Sequence, residues 1–330
     1  MDSLAYAKAH NDEWVRLEKL AKQRRLSGIE SDELIQLYQR VAGELAVIRT
    51  KAPDPDVVLR MSVALSRARS RITAEPISPW VAVVRFFTVI LPFSFYRIRR
   101  WIWAVTAASM AVGAVVLALY SFSPNLIDTL GSYSTQQAYA KQAFEAYYTE
   151  NAHSDFSMMV WSNNAWIALQ CVAGGFTGVY PIVVLAHNMV GLGQTGAIMA
   201  RFGDLGIFFQ LITPHGLLEL TAIFAAGAAG LRIFWALVHP EAFPRVASLG
   251  REGRHTVMVA LGLVFVLFIS GLIEGFITPS ALPWWAKIAI GTVALAGFWA
   301  WVMILGKRAA RLDGSETDDS SVGWHIEYAQ

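Results

Sequence analysis

The fold is decided by residues 188–232, which read NMVGLGQTGAIMARFGDLGIFFQLITPHGLLELTAIFAAGAAGLR. The first half is interrupted by glycines, and the second half is an apolar run rich in alanine and glycine. Within the apolar run, His215 and Glu219 are four positions apart and therefore share one face of a helix. An ionisable side chain at membrane depth costs roughly 2.5–3.5 kcal/mol on insertion scales, so such residues usually face a bundle interior.

The composition indicates a membrane protein. The 330 residues are 55% hydrophobic and 16% charged, with a mean hydropathy of +0.42, which is too apolar for an ordinary soluble domain. Charged residues crowd into the first 100 and the last 25 positions. Neither the net charge of +2 nor any motif indicates nucleic-acid binding. Residues 1–30 are polar and charged rather than a signal peptide, so the N-terminus is expected in the cytosol.

Residues 1–76 are predicted to form a small cytosolic bundle of three helices. Apolar residues recur there at helical spacing in three stretches, which run from Trp14 to Leu20, from Leu34 to Ile48 and from Val58 to Ile72. Ser31 is the expected N-cap of the second helix. Asp54-Pro55, a capping residue followed by proline, is expected to start the third helix.

Residues 77–100 differ in kind, because their apolar run contains Arg85 and is expected to break at Pro92. They are predicted to form an interfacial amphipathic helix, an elbow that lies in the membrane plane. The transmembrane domain then follows over residues 101–305, with residues 306–330 as a cytosolic tail.

About six crossings are predicted within 101–305. Five apolar segments have close to the ~20 residues that a bilayer needs; they cover 101–120, 164–186, 216–238, 256–276 and 285–305. Residues 121–162 are polar and aromatic, contain Lys141 as their one Lys or Arg, and are predicted to be an external helical segment.

Charge parity supplies the sixth crossing. Five crossings would place the arginines of 245–254 and the tail outside, against the positive-inside rule. A sixth, broken crossing within 188–213 keeps both cytosolic; the sequence does not decide whether this segment crosses fully or re-enters. Broken backbone is tolerated at membrane depth where protein buries it or water is present. Pro214 is then expected to begin the next helix, which places His215 and Glu219 near the positive end of its dipole.

The predicted intramembrane polar site has four members, which are His215, Glu219, Glu274 and Asn188, with supporting positions at His187, Arg232, Asn163 and Asn164. A structural hydrogen-bond cluster is the favoured interpretation, followed by proton or ion handling and then by a metal site. The His-x-x-x-Glu spacing is not that of a zinc protease. No Walker-type or Gly-x-Ser-x-Gly motif is present, so we predict no catalytic residue, no enzyme, no cofactor and no metal.

These residues resemble the stage II sporulation protein M family of bacterial integral membrane proteins. The resemblance is carried by Pro214-His215-Gly216-x-x-Glu219-Leu220-x-Ala222 with the Ala/Gly run to Gly230, by Asn163-Asn164, and by Asn188 with Leu192-Gly193. The chain departs from the family where Asn188-Met189 replaces the usual Asn-Gly, and where Arg69 lies close to the place of a common histidine.

The resemblance implies a multi-pass protein of the bacterial inner (cytoplasmic) membrane, and the charge parity given above predicts that both termini are in the cytosol. It implies a recruiting role beside cell-wall hydrolases, and a MoxR-type AAA-plus ATPase is the second expected partner. We therefore expect a non-enzymatic membrane scaffold for a cell-envelope or peptidoglycan-remodelling complex; the alternative is a transporter or channel that uses the His/Glu site. Membrane lipids are expected partners and nucleic acid is not, while the glycine-rich faces are compatible with a homo-oligomer.

Overall fold

The computed structural model describes residues 3–23, 26–51, 54–73, 78–149, 153–240 and 244–318. All regular secondary structure in these ranges is helical. This confirms an all-α polytopic membrane protein. The chain divides into two compact units, an N-terminal unit that reaches Ala82 and a membrane unit that begins at Val83. Two predictions lie outside the described residues. They are the domain boundary at residues 76–77 and the end of the predicted tail, residues 319–330.

The N-terminal unit contains three helices, α1 (Ser3–Lys22), α2 (Gly28–Lys51) and α3 (Pro55–Thr73). Their predicted apolar stripes meet in one core, in which Leu17, Val41 and Ala68 are fully enclosed. Ion pairs join the helices at the surface. The three-helix bundle predicted from the spacing of apolar residues is therefore present.

One predicted cap of this bundle is correct and one is wrong. Asp54 caps α3, because its carboxylate accepts from the backbone N–H groups of Asp56 and Val57 at 3.0 and 3.3 Å. Ser31 does not cap α2. The cap is Ser27, which pairs reciprocally with Glu30 in a capping box and so starts the helix one turn earlier.

The membrane unit has five helices that are long and apolar enough to cross a bilayer. The first runs from Pro79 to Phe122 and comprises α4 (Pro79–Arg85), a π-helical turn (Phe86–Ile90) and α5 (Leu91–Phe122). The others contain α10 (Val179–Phe202), α11 (Leu205–Val238), α12 (Arg245–Leu272) and α13 (Trp284–Trp301). π-Helical turns follow α12 (Ile273–Ile277) and α13 (Val302–Gly306), and the latter leads into α14 (Lys307–Asp318).

The remaining helices connect α5 to α10. Short helices α6 (Pro124–Ile127), α7 (Tyr133–Ala138) and α8 (Phe144–Thr149) occupy the predicted external segment, with a 3₁₀ turn and a π-helical turn between them. They pack beside the end of α10, where Arg201 pairs with Asp128 at 2.7 Å. A longer helix, α9 (His153–Ala173), then leads through a 3₁₀ turn (Gly174–Thr177) into α10.

The prediction that Pro92 breaks the elbow is wrong, because the helix continues through it. The preceding π-helical turn shifts the hydrogen-bond register, so that Leu91 donates to Phe86. In that register residue 92 would donate to Phe87, but proline has no N–H. The Phe87 carbonyl accepts instead from the Trp301 indole at 2.9 Å. Residues 91–95 are all buried, so only Pro79–Arg85 keeps the exposure that an interfacial helix needs.

The predicted limits of the middle crossings are also wrong. Residues 164–186 are not one span, because α9 ends at Ala173 and the chain turns at Gly178, whose φ is +70°. Residues 188–213 are not a broken crossing either. The glycines of α10 lie inside a continuous helix, where Gly193 faces the Gly113 carbonyl and Val116 of α5. The break comes at Gly203, and Asp204 caps α11 by accepting from the Gly206 N–H at 2.6 Å.

Pro214 lies inside α11 and does not begin it. His215 and Glu219 are therefore about three and four turns from the start of the helix, beyond the reach of the helix-dipole effect that the sequence suggested. The tight fit of Gly291 of α13 against the Pro214 backbone leaves no room for a side chain there.

Helix α11 is the centre of the unit, and every residue from Thr221 to Gly230 is buried. Helix α9 runs parallel to it, because Asn164 lies beside Glu219 and, further along both helices, Cys171 lies against Gly230. Helix α9 also runs antiparallel to α12, where the Trp161 indole donates to the Val264 carbonyl at 3.2 Å. Helix α9 therefore lies alongside α11 within the bundle, although it is not among the five helices that are apolar enough to count as candidate membrane spans.

Candidate functional site

Three predicted site residues meet where α11 passes the end of α12. His215 and Glu219 lie one turn apart on α11, and Glu274 lies in the π-helical turn that follows α12. Their side-chain ligand atoms all lie within 4.8 Å of one another. His215 Nε2 is 3.8 Å from Glu274 Oε1, and both side chains are about 5% exposed. His215 and Glu274 are buried and Glu219 is half-buried, so the three residues form one largely enclosed cluster.

Local backbone features bring Glu274 to this place. The π-helical turn ends where the Thr278 N–H donates to the Ile273 carbonyl at 3.0 Å. The wider turn adds a residue to the helical repeat and places Glu274 and Thr278 beside α11. Gly271 lets α9 approach α12 at this level, since a Cβ there would lie 3.2 Å from the Ser157 carbonyl.

Hydrogen bonds fix the orientation of His215. Its Nδ1 lies 3.3 Å from the Thr278 hydroxyl oxygen, and that hydroxyl donates to the Ile273 carbonyl at 3.4 Å. With the hydroxyl donating to Ile273, its oxygen is free to accept from an Nδ1–H. In this tautomer the neutral imidazole carries its lone pair on Nε2. The Ser270 hydroxyl also donates to the His215 carbonyl, at 3.1 Å. The Nε2 lone pair faces the Glu274 carboxylate.

The two carboxylates are incompletely paired. The Asn164 side chain lies beside the Glu219 carboxylate and interacts with it. Within the described residues, the buried Oε2 atoms of both Glu219 and Glu274 have no hydrogen-bond partner, and no Lys or Arg forms an ion pair with either residue. Buried acceptors normally have partners, so these two oxygens need an explanation.

Aromatic residues of the predicted external segment cover the cluster. The Tyr148 ring of α8 lies 5.9 Å from the His215 ring, and Phe144 and Phe156 pack against Tyr148. Burial raises the pKa of the Tyr148 phenol, which therefore stays neutral. From the start of α13, Lys287 Nζ donates to the Thr278 carbonyl at 2.6 Å. The cluster thus lies near the end of the bundle that the 121–149 segment covers.

The other predicted positions are distributed unevenly. Asn164 is buried in the cluster, whereas Asn163 and His187 are exposed. Asn188 is half-buried and, within the described residues, makes no hydrogen bond to the three cluster side chains. Arg232 lies at the other end of α11, in a separate group in which Glu252 pairs with Arg97 at 2.8 Å and with Arg232 at 3.4 Å.

Sequence reasoning missed three contributors, which are Thr278, Ser270 and Tyr148. Thr278 and Ser270 each lie four residues from Glu274, so helical spacing from the predicted glutamate could have indicated both. No sequence signal places Tyr148, because its contact depends on how the external segment folds back.

The fold defines a polytopic α-helical membrane protein with a buried polar cluster. Residues 102–279 match the family described as stage II sporulation protein M, which covers more than half of the chain. The chain belongs to the stage II sporulation protein M family. Residues 4–74 match a second family, described as a domain of unknown function, which coincides with the N-terminal bundle.

A curated relative is an uncharacterized protein of Methanocaldococcus jannaschii. It is 28% identical over 127 residues, which are 37% of this chain and 55% of the relative. The chain thus matches about half the length of that relative. No solved structure matches the chain.

Proposed function

We propose that the protein is a non-enzymatic integral membrane scaffold that recruits partners to a cell-envelope or peptidoglycan-remodelling complex in the bacterial inner membrane. One observation carries the proposal: a helical bundle with a complete core of its own is attached to a polytopic membrane unit. A separately folded unit of this kind is suited to docking, because it can present a surface without disturbing the membrane helices.

The bundle offers a defined surface for a cytosolic partner. A groove between α1 and α3 is lined by charged residues and by apolar Val63, which is 42% exposed. The charged residues of the groove are Glu18, Lys22, Arg60 and Arg67. Leu59, on the same helix, is 64% exposed. Apolar positions surrounded by charges are the composition expected of a transient interface. A MoxR-type AAA-plus ATPase is the proposed cytosolic partner, and cell-wall hydrolases are the proposed partners of the 121–149 segment.

The test is recovery of partners from native membranes by affinity purification and mass spectrometry. Val63→Glu should reduce recovery of a cytosolic partner at least several-fold, because it places a charge in the groove. Ile35→Glu is the matched control, since Ile35 is similarly exposed but belongs to α2 and does not line the groove. Equal recovery with both variants, or no ATPase or cell-wall enzyme with the wild type, would contradict the scaffold proposal.

The alternative, a transporter or channel, is favoured by the meeting of His215, Glu219 and Glu274 inside the bundle. Intramembrane carboxylate and histidine groups are typical of proton and ion pathways. Flux measurements in proteoliposomes separate the two functions. A scaffold should give no proton or cation flux above protein-free liposomes, whereas a transporter should give a flux that Glu219→Gln abolishes.

A further inference from the structure

The cluster of His215, Glu219 and Glu274 has a charge imbalance. Two carboxylates approach within 4.8 Å of one another in the protein interior, and no Lys or Arg of the described residues pairs with either. Two like charges at this separation, removed from water, repel strongly. The arrangement therefore requires either a shared proton or a cation between the carboxylates.

The orientation of His215 favours a cation. Thr278 holds the Nδ1 side of the ring, so the Nε2 lone pair faces Glu274 Oε1 across 3.8 Å. That separation is too long for a direct hydrogen bond. A tetrahedral Zn²⁺ with bonds of about 2.0–2.2 Å sets neighbouring ligand atoms roughly 3.4 Å apart. The His215–Glu274 distance of 3.8 Å is close to this value, and the remaining separations, which reach at most 4.8 Å, would shorten when the ion binds.

The unpartnered carboxylate oxygens are independent evidence for a bound cation. Glu274 is 4% exposed, and its Oε2 has no hydrogen-bond partner among the described residues; the buried Oε2 of Glu219 has none either. A divalent ion would give these oxygens the partner that buried acceptors require. Two carboxylates and a neutral imidazole around a divalent ion have no net charge, which lowers the cost of burying them.

We infer that His215, Glu219 and Glu274 bind one divalent transition-metal ion, of which Zn²⁺ is the representative, and that the ion joins α11 to the end of α12. Mixed imidazole and carboxylate ligands suit zinc and its neighbours rather than Ca²⁺ or Mg²⁺, which prefer oxygen alone. Asn164 and Thr278 act as positioning residues that orient Glu219 and His215. The inference does not depend on the scaffold role, since an ion that joins two helices is compatible with either proposed function.

The first experiment measures Zn²⁺ bound to the full-length protein, purified without a polyhistidine tag, stripped with a chelator and dialysed against micromolar Zn²⁺. His10, Glu13 and Glu44 of the N-terminal bundle also lie close enough to hold an ion. All proteins therefore carry His10→Gln. Elemental analysis should give about one zinc per chain. Absence of bound zinc would overturn the inference in favour of a shared proton.

Substitutions locate the ion. Glu274→Gln and Glu219→Gln keep the side-chain shape and should each weaken zinc binding by more than the roughly 10–100-fold that loss of an outer-shell partner costs. Thr278→Val should weaken binding by about 10–100-fold, because the imidazole loses its positioning hydroxyl. His255→Gln is the matched control: it removes another buried histidine, 7% exposed, which lies on α12 outside the cluster, and it should leave zinc affinity unchanged. Equal affinity in Glu274→Gln and the control would overturn the site.

A spectroscopic measurement on the zinc-bound protein keeps the inference testable if a variant does not fold. X-ray absorption should show a first shell of nitrogen and oxygen with the outer scattering of one imidazole. A sulfur ligand would assign the zinc to Cys171, the one cysteine of the chain, and would overturn the inference.

Discussion

At Gly230, α11 touches its neighbour backbone to backbone. A Cβ on Gly230 would collide with the Cys171 carbonyl of α9, and a Cβ on Gly175 would lie 2.6 Å from the Gly230 Cα. Small residues at such crossings let membrane helices approach closely, so that dispersion contacts hold them together. The Ala/Gly run in the sequence therefore serves packing within one chain at this position.

Gly230→Ala should lower the free energy of unfolding by roughly 1–3 kcal/mol, because the methyl group forces α9 away from α11. The measurement is unfolding of the detergent-solubilised protein in a denaturant titration. Gly297→Ala is the matched control, since nothing lies within 4 Å of a Cβ at this lipid-facing position. Helix propensity alone should stabilise both variants slightly, so a Gly230→Ala protein as stable as the Gly297→Ala protein would contradict the packing role of Gly230.

Two ion pairs of similar length differ in burial. Arg97 and Glu252 are 2.8 Å apart with Glu252 4% exposed, whereas Arg201 and Asp128 are 2.7 Å apart with Asp128 60% exposed. Removing one partner of a buried pair leaves an uncompensated charge, whereas exposed pairs contribute little.

Glu252→Ala should therefore lower the free energy of unfolding by roughly 3–5 kcal/mol, and Asp128→Ala by at most about 1 kcal/mol. Thermal melts of both variants, made in the same detergent and at the same ionic strength, provide the comparison. A larger loss for Asp128→Ala than for Glu252→Ala would contradict the assignment of Glu252 as the buried anchor of Arg97 and Arg232.

The predictable part of the site follows from spacing and depth. His215 and Glu219 share a face because they are four apart on one helix, and Glu274 is a charge within an apolar segment. Asn188 lies on a helix whose rotation is set by packing against α5, where Met189 points inward and is buried. The rotation of this helix about its axis cannot be inferred from the sequence, so the prediction that Asn188 belongs to the cluster had no physical basis.

At the scale of single elements, the start of α2 is controlled by one carboxylate. The Ser27 backbone N–H donates to Glu30 at 2.8 Å, and Gln23 and the Ser27 hydroxyl add two further hydrogen bonds. These bonds, led by the one from the Ser27 backbone, hold the pKa of Glu30 below its ordinary value of 4.5. A carboxylate with a lowered pKa in the folded state contributes stability above its unfolded pKa and loses that contribution as the pH falls.

Glu30→Gln should consequently lower the melting temperature of the fragment 1–82, which contains the complete bundle core, at pH 7 and much less at pH 3. Circular dichroism melts of the wild-type and variant fragments across this range provide the measurement. A difference between the two fragments that stays constant from pH 7 to pH 3 would show that the capping box does not titrate as described.

Helix existence was predictable in the membrane unit, but helix limits were not. The apolar composition continues across the turn at 174–178, so a hydropathy window reads the end of α9 and the start of α10 as one span. The glycines of α10 resemble breaks in sequence but lie at helix contacts in space. Pro92 and Pro214 resemble helix ends but are accommodated, Pro92 by a π-helical turn and Pro214 inside α11. Each error arises because tertiary packing outweighs local preference.

At the scale of the whole molecule, the number of crossings follows from α9. If α9 crosses the membrane as well as the five most apolar helices, the chain has six crossings. The arginines of 245–254 and the helix that begins at Lys307 then lie on the same side of the membrane as Arg97 and Arg99, as the positive-inside rule requires. The turn at 174–178 then lies on that cytosolic side, and the turn between α12 and α13 lies outside.

Cysteine labelling in a Cys171→Ser background tests this topology. A membrane-impermeant maleimide should label Ala281→Cys in intact cells, and should label Phe176→Cys and Arg308→Cys only after permeabilisation; all three positions are exposed. Labelling of Phe176→Cys in intact cells would show that α9 does not cross.

The enclosure of α11 has a consequence for biosynthesis. Its ten consecutive buried residues from Thr221 to Gly230 face protein on every side, yet two of its neighbours, α12 and α13, follow it in the chain. When α11 leaves the ribosome, half of its surroundings have not been made, so it must first be solvated by lipid or held by the insertion machinery. Its alanine- and glycine-rich surface is well suited to helix packing but only weakly hydrophobic. Before α12 and α13 are synthesised, α11 is therefore only weakly stabilised in the membrane. Completion of the C-terminal helices is therefore the step that commits the nascent chain to its fold.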